Sequence, residues 1–349
     1  MQDNRDLSFD AFRGIAIIAV VGIHASAFYL GANNSAGGWN LPMVAYQQLF
    51  NFAVPVFIFI SGYWLSKKPV ESLEDYKKFL TRRVSRILIP YFVWSLAYIA
   101  YEIIVTRKLD VRHIIVELAT GSAPGRNYYW FILLIAQFYI MTPFLQYLNR
   151  RRNGFLFVLI LNVFALILRY VLRLYLNWSI PLMGLFFSWL VFYQVGLLAG
   201  SSGSITFNLR RLRFFIFPAI LIFLLASQIE AIFLISNFKD SYAAVSPLKF
   251  SSFFYSLSLI LGFLFVRERF KNWPQFLVSI GRYSFGIYLL HVGVLKNVIR
   301  VSQNISVISS FQPVYQLELL VVTVVICFVL IYVTRKLLPE NICFKYLGF

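Results

Sequence analysis

The chain has 349 residues, 60% of them hydrophobic and only 13% charged, against roughly 25% charged in an average soluble domain. Its 32 Lys and Arg outweigh 14 Asp and Glu to give a formal charge of +18, and aromatic residues reach 19%. This composition excludes a soluble globular domain, which could not hide so much apolar surface, and favours a lipid-embedded chain.

A helix needs about 20 apolar residues to cross roughly 30 Å of hydrocarbon. Taken in order, suitable runs lie at Phe9–Leu30, Val44–Leu65, Ile87–Val105, Tyr128–Leu148, Phe155–Leu172, Pro181–Ala199, Phe214–Ile235, Phe250–Val266, Leu277–Val298 and Val314–Val333. They predict an all-α integral membrane bundle of about ten helices forming a single domain over residues 1–349. Arg5 and Arg13, then the apolar Gly14–Ile23, then Ala25-Ser26-Ala27, imitate a cleaved signal peptide. Asp3, Asp6 and Asp10 make a poor basic leader, so the segment is read as a retained first helix.

Lys and Arg concentrate on cytoplasmic loops. With the N-terminus inside, most of the 32 basic residues fall on one side, including Lys67, Lys68, Lys77, Lys78, Arg82, Arg83, Arg86 and Arg150 to Arg152. Both termini are therefore expected in the cytoplasm. The basic side suits anionic lipid or an anionic cytoplasmic ligand. Nucleic acid is excluded, because the basic residues sit in short loops between spans. Cys327 and Cys343 suggest neither a disulfide framework nor a metal site.

Ionisable groups inside spans are costly and point to function. The first run holds Asp10, Arg13 and His24. Arg13 and His24 are 11 residues apart, which places them within roughly 20° of one helix face and about 16 Å apart along it. Against this stands the plainer reading of Arg13 as a headgroup anchor and His24 as a packing residue. The segment FLTRRVSRILIPYF carries Arg82, Arg83 and Arg86. Arg82 and Arg86 share a face, either as topology signals or as an anion site, since guanidinium groups match phosphate oxygens bidentately. In GRYSFGIYLLH, Ser284, Tyr288 and His291 recur on one face, with His291 deep in a span. Glu102, Glu230 and Glu318 are candidate carboxylate partners for a histidine. Tyr128, Tyr129 and Trp130 read first as an interfacial aromatic belt. Pro55, Ser61 and Gly62 read first as a kinked, closely packed helix.

In order, the chain presents D-x-x-R-G-I-A with His24 following, then A-V-P-V-F-I-F-I-S-G-Y, R-x-x-x-R-I-x-x-P-Y-F, Y-Y-W-F-I-L-L and S-F-G-I-Y-L-L-H. This series resembles the acyltransferase 3 family of membrane O-acyltransferases over essentially the whole chain, in the stand-alone type without a fused hydrolase-like domain. The resemblance implies a multi-pass protein of the bacterial cytoplasmic membrane that takes an acyl group, usually acetyl, from cytoplasmic acyl-coenzyme A. That group goes to a hydroxyl of an extracytoplasmic glycan or other acceptor, with acetyl-CoA as co-substrate and no metal. By motif, Arg13 and His24 are its essential pair, and Arg82 and Arg86 its arginine motif.

The residues suggest how such a reaction would run. His24 would be the general base, with Glu102 the first guess for the carboxylate that orients it. Arg82, Arg83, Arg86 and Arg13 would hold the donor's phosphates. An acyl-enzyme on His24 or Ser61 is the two-step version. The competing function is a transporter or flippase of a lipid-linked glycan, for which inverted repeats with broken helices in both halves would be the sign.

Overall fold

The computed structural model describes residues 6–33, 41–108, 110–121, 129–176, 184–201, 213–302 and 312–349. Among these the regular structure is helical, with no strand. The first four helices are α1 (Leu7–Asn33), α2 (Leu41–Gln48), α3 (Ala53–Ser66) and α4 (Leu73–Thr106). They are followed by α5 (Val111–Thr120), α6 (Trp130–Asn149), α7 (Gly154–Tyr170) and α8 (Leu190–Ser201). The last five are α9 (Arg213–Phe238), α10 (Phe250–Arg267), α11 (Gln275–Arg282), α12 (Ser284–Ser302) and α13 (Gln312–Leu337).

Among the described residues, 9 helical segments are long and apolar enough to cross a membrane, and Phe186–Ser201 adds a shorter apolar helix. The expected bundle of about ten is therefore an integral membrane protein of that kind. Rows of exposed apolar side chains, such as Phe214, Phe217, Leu221 and Leu225 on α9 and Leu317, Val321 and Val325 on α13, form its lipid-facing surface.

Three runs differ from their simple reading. Val44–Leu65 is broken by a turn at Leu49–Phe52 that separates α2 from α3. Leu277–Val298 is broken at Tyr283 between α11 and α12. Helix α4 begins well before its apolar run, because Ser72 caps it by accepting from the Asp75 amide at 3.0 Å and Glu74 and Asp75 favour the positive helix start. Its 34 residues reach about 50 Å, so one end projects beyond the hydrocarbon. Pro90 within it has no N–H to donate to the Arg86 carbonyl four residues back.

Two helix pairs meet backbone to backbone. A Cβ on Gly281 would lie 1.7 Å from the Asp10 carbonyl oxygen, and one on Gly14 would lie 2.2 Å from that of Leu277. These contacts press α11 onto the start of α1. Helices α3 and α8 meet likewise, with Gly62 against Tyr193 and Gly196 against Phe59. Small residues allow such approach, and packing then replaces the hydrophobic drive that lipid removes. The close packing expected at Ser61–Gly62 is thus present.

Candidate active site

Two cavities open on opposite stretches of the same helices. The first, about 650 Å³, is lined by Arg13 of α1, Arg83 and Arg86 of α4, Arg282 of α11 and Arg335 of α13, with Ser61, Tyr139 and Ser284 among its other walls. Asp10, 1% exposed, accepts from Arg13 at 3.0 Å and lies 3.8 Å from Arg282. The glycine contact between α1 and α11 sets this arrangement, because it brings Arg282 beside the first turns of α1. Tyr139 and Ser61 share the cavity wall with Arg83, Arg86 and Arg13, whose charges act on the Tyr139 hydroxyl. Five guanidinium groups around one chamber, with Glu340 the carboxylate on its wall, make a site for a polyanion such as a chain of phosphates.

The second cavity, about 450 Å³, is lined by Tyr91, Trp94, Ser95, Tyr98 and Glu102 of α4 and by Glu117, Tyr129, Lys296, Asn297 and Arg300. Aromatic faces mixed with carboxylates, amides and cations suit a polyhydroxyl ligand.

An aromatic ring joins the two linings: Tyr288 lies 5.9 Å from Phe131 of the basic cavity and 6.1 Å from Tyr129 of the other, and the intramembrane histidines stand next to it without lining either cavity. Tyr283, just before α12, and Ser284 and Phe285 at its start line the basic cavity, while Val292 and Gly293 further along line the other. His291 lies between them in the sequence, fully buried. Its ring centroid is 5.0 Å from that of His24, at an interplanar angle of 48°. The neighbouring rings form a chain, Tyr91–Tyr129 at 5.9 Å, Tyr129–Tyr288 at 6.1 Å and Tyr288–His291 at 5.7 Å.

The tautomer of His291 follows from its partner. Nδ1 is 2.7 Å from the Tyr288 carbonyl oxygen, which only accepts, so in the neutral ring Nδ1 carries the proton and Nε2 the lone pair. Nε2 has no hydrogen-bond partner among the described residues. A buried lone pair beside a second imidazole is an arrangement for moving a proton.

The remaining sequence candidates divide as follows. Arg82 is exposed and does not line the basic cavity, so the inward-facing pair on α4 is Arg83 and Arg86. Glu102 lies on the second cavity, whereas the described ring beside His24 is that of His291. Trp130 stacks on the buried Trp189 at 6.1 Å and serves packing. Glu230 accepts from the Ser251 amide at 2.9 Å and from Tyr170. Glu318 lines an apolar groove between α12 and α13. Tyr128 lies outside the described residues.

Sequence reading singled out neither Tyr139, Arg282 and Arg335 of the basic cavity nor Lys249. That lysine is fully buried, and its Nζ donates to Gln48 Oε1 at 2.7 Å and to the Ser227 carbonyl at 2.8 Å. Gln48 also accepts from Asn51 at 2.8 Å, so the lysine braces the turn between α2 and α3. Arg282 had a legible sign, since it adjoins the Ser284–His291 motif.

An acyltransferase 3 family model, described as an acyltransferase domain, matches residues 6–332. No curated protein and no solved structure matches the chain. The match takes in the second cavity, most of the basic cavity's lining and the histidine pair, and the chain belongs to the acyltransferase 3 family of membrane acyltransferases.

Proposed function

We propose that this membrane acyltransferase is an O-acetyltransferase that takes the acetyl group of acetyl-CoA held in the basic cavity. The acceptor is a hydroxyl of a glycan or other cell-surface molecule entering the second cavity. The observation that carries this reading is the partition: a polyanion-binding chamber and a polar aromatic chamber lie along the same helices, with His24 and His291 between them. The membrane is the bacterial cytoplasmic membrane, with the basic chamber toward the cytoplasm, in keeping with the bias of Lys and Arg.

Coenzyme A carries a 3′-phosphate and a pyrophosphate, for which Arg13, Arg83, Arg86, Arg282 and Arg335 supply counter-charge. Its pantetheine arm is long and narrow. The rise from Ser284 to His291 on α12 is about 10 Å, and that from Arg13 to His24 on α1 about 16 Å. An arm passing between these helices delivers the thioester to the histidines.

His24 takes the proton of the acceptor hydroxyl as its oxygen attacks the thioester carbonyl carbon. The carbon–sulfur bond then breaks, and the departing thiolate takes the proton from the His24 imidazolium. Ester and free thiol result, with no net change in charge. The lone pair on His291 Nε2 stabilises the imidazolium in between.

The test is acetyl-CoA binding to detergent-purified protein. Wild type is expected to bind, Arg83→Ala/Arg86→Ala to lose at least tenfold in affinity, each charge-assisted hydrogen bond being worth about 1.5–3 kcal/mol, and Arg82→Ala to stay within about twofold. A folded wild type without measurable binding would overturn the donor assignment.

A further inference from the structure

The matched stretch ends at residue 332, yet the wall of the basic cavity continues beyond it through Arg335, Glu340, Phe344, Gly348 and Phe349. This tail is anchored from within. After α13 the chain turns at Glu340–Ile342 and Cys343–Leu347. Cys343 is fully buried, and Phe349 packs its ring 6.1 Å from that of Trp94 and against Gly286. The Phe349 amide donates to the Cys343 carbonyl at 3.0 Å, and the Trp94 indole donates to the Leu347 carbonyl at 3.2 Å. Gly348, at φ 73°, makes the turn that returns Phe349 to the core.

Of the exposed large apolar residues in this turn, Ile342, Phe344 and Tyr346, it is Phe344 that lines the cavity. Phe344 is 47% exposed while lining the cavity. The Arg86 guanidinium stands over its ring, 4.1 Å from the centroid. A ring held on one face by a guanidinium, beside a chamber of further arginines, has the makings of a base-binding platform. Planar bases stack on aromatic rings and guanidinium planes, and the same guanidinium groups reach the attached phosphates.

We propose that the C-terminal tail supplies the nucleobase subsite of the donor cavity, with the Phe344 ring and the Arg86 guanidinium receiving the purine of the acyl donor. This rests on the reading of that cavity as the acyl-CoA site. The ring of the subsite, Phe344, belongs to a segment outside the matched stretch, whereas Arg86 lies within it. Cys343 and Phe349 fix the tail, Arg86 orients the Phe344 ring, and Arg335 lies within 3.5 Å of Glu340 to steady the turn between them.

The experiment is a binding cycle on the full-length protein in detergent, with acetyl-CoA and an analogue that keeps the phosphates and pantetheine arm but carries no base. Wild type is expected to bind the base-less analogue roughly tenfold more weakly, in line with one base stacked on one ring. Phe344→Ala is expected to lose the same factor with acetyl-CoA and to bind the two donors within about twofold of each other. Phe344→Trp should restore the preference, because it keeps a stacking face. Equal losses of Phe344→Ala toward both donors, or no loss toward acetyl-CoA, would overturn the subsite. Wild type that binds neither donor would instead overturn the donor reading on which it rests.

Discussion

His24 of α1 and His291 of α12 hold their imidazole rings 5.0 Å apart, at the wall between two cavities of different chemistry. The carbonyl of Tyr288 fixes the proton of His291 on Nδ1 and leaves Nε2 as an acceptor. In the proposed mechanism the pair divides the labour: His24 would exchange the proton, and His291 would orient it and share its charge. His24→Ala is therefore expected to lower turnover 10²–10⁴-fold, the usual range for a general base, with protein level and acetyl-CoA affinity unchanged. His291→Gln should lower kcat by about tenfold to a hundredfold with little effect on the donor KM. Release of the coenzyme A thiol measures both. A His24→Ala protein with wild-type turnover would remove the base from this site.

The position of Arg282 beside Asp10 depends on a backbone contact that tolerates no side chain. A Cβ on Gly281 would fall 1.7 Å from the Asp10 carbonyl oxygen, so Gly281→Ala must push α11 away from α1. Overpacking of this kind costs about 1–3 kcal/mol. The expected outcome is a lower Tm together with weaker acetyl-CoA binding, because Arg282 moves with α11 while Arg83 and Arg86 on α4 remain. Gly184, whose added Cβ would meet nothing within 4 Å, is the matched control, and Gly184→Ala should leave both quantities unchanged.

Much of this architecture was legible because lipid simplifies the code. Long apolar runs mark spans whatever their neighbours, which is why α1, α6, α9 and α13 follow their predicted segments closely. The breaks at Leu49–Phe52 and Tyr283 fall at short polar interruptions, Gln47, Gln48 and Asn51 in one and Arg282 and Ser284 in the other, which a window of about 20 residues averages away. Among site residues, Arg13, His24, Ser284 and His291 stood out as polar groups in apolar runs. Their grouping did not, because His24 and His291 are joined only by the crossing of α1 and α12. The choice of Arg83 over Arg82 depends on the rotation of α4, which a helix wheel cannot fix without knowing what α4 faces. Lys249 was hidden for a further reason: a single lysine beside a loop looks like a surface residue until Gln48 and the Ser227 carbonyl close over it.

Away from the site, Arg173 grips Asp240 with two hydrogen bonds, of 2.6 Å and 3.0 Å, and ties the end of α7 to the turn that follows α9. Asp240 also accepts from the Ala243 amide at 2.9 Å, capping the short helix Ser241–Val245. Burial by itself would raise the Asp240 carboxyl. Hydrogen bonds from Arg173 and Ala243 and the charge of Arg173 outweigh it and hold the group below its ordinary value. A carboxylate depressed in the folded state adds stability above its unfolded value, near 4, and loses it as pH falls through the folded one. Thermal stability of the wild type should accordingly fall as pH drops from about 5 toward 3. Asp240→Asn removes the charge while keeping a capping oxygen. It should start from a lower Tm at pH 7 and show a shallower acid slope. Unfolding scans at several pH values compare the two slopes, and identical slopes would mean that another carboxylate governs the acid limb.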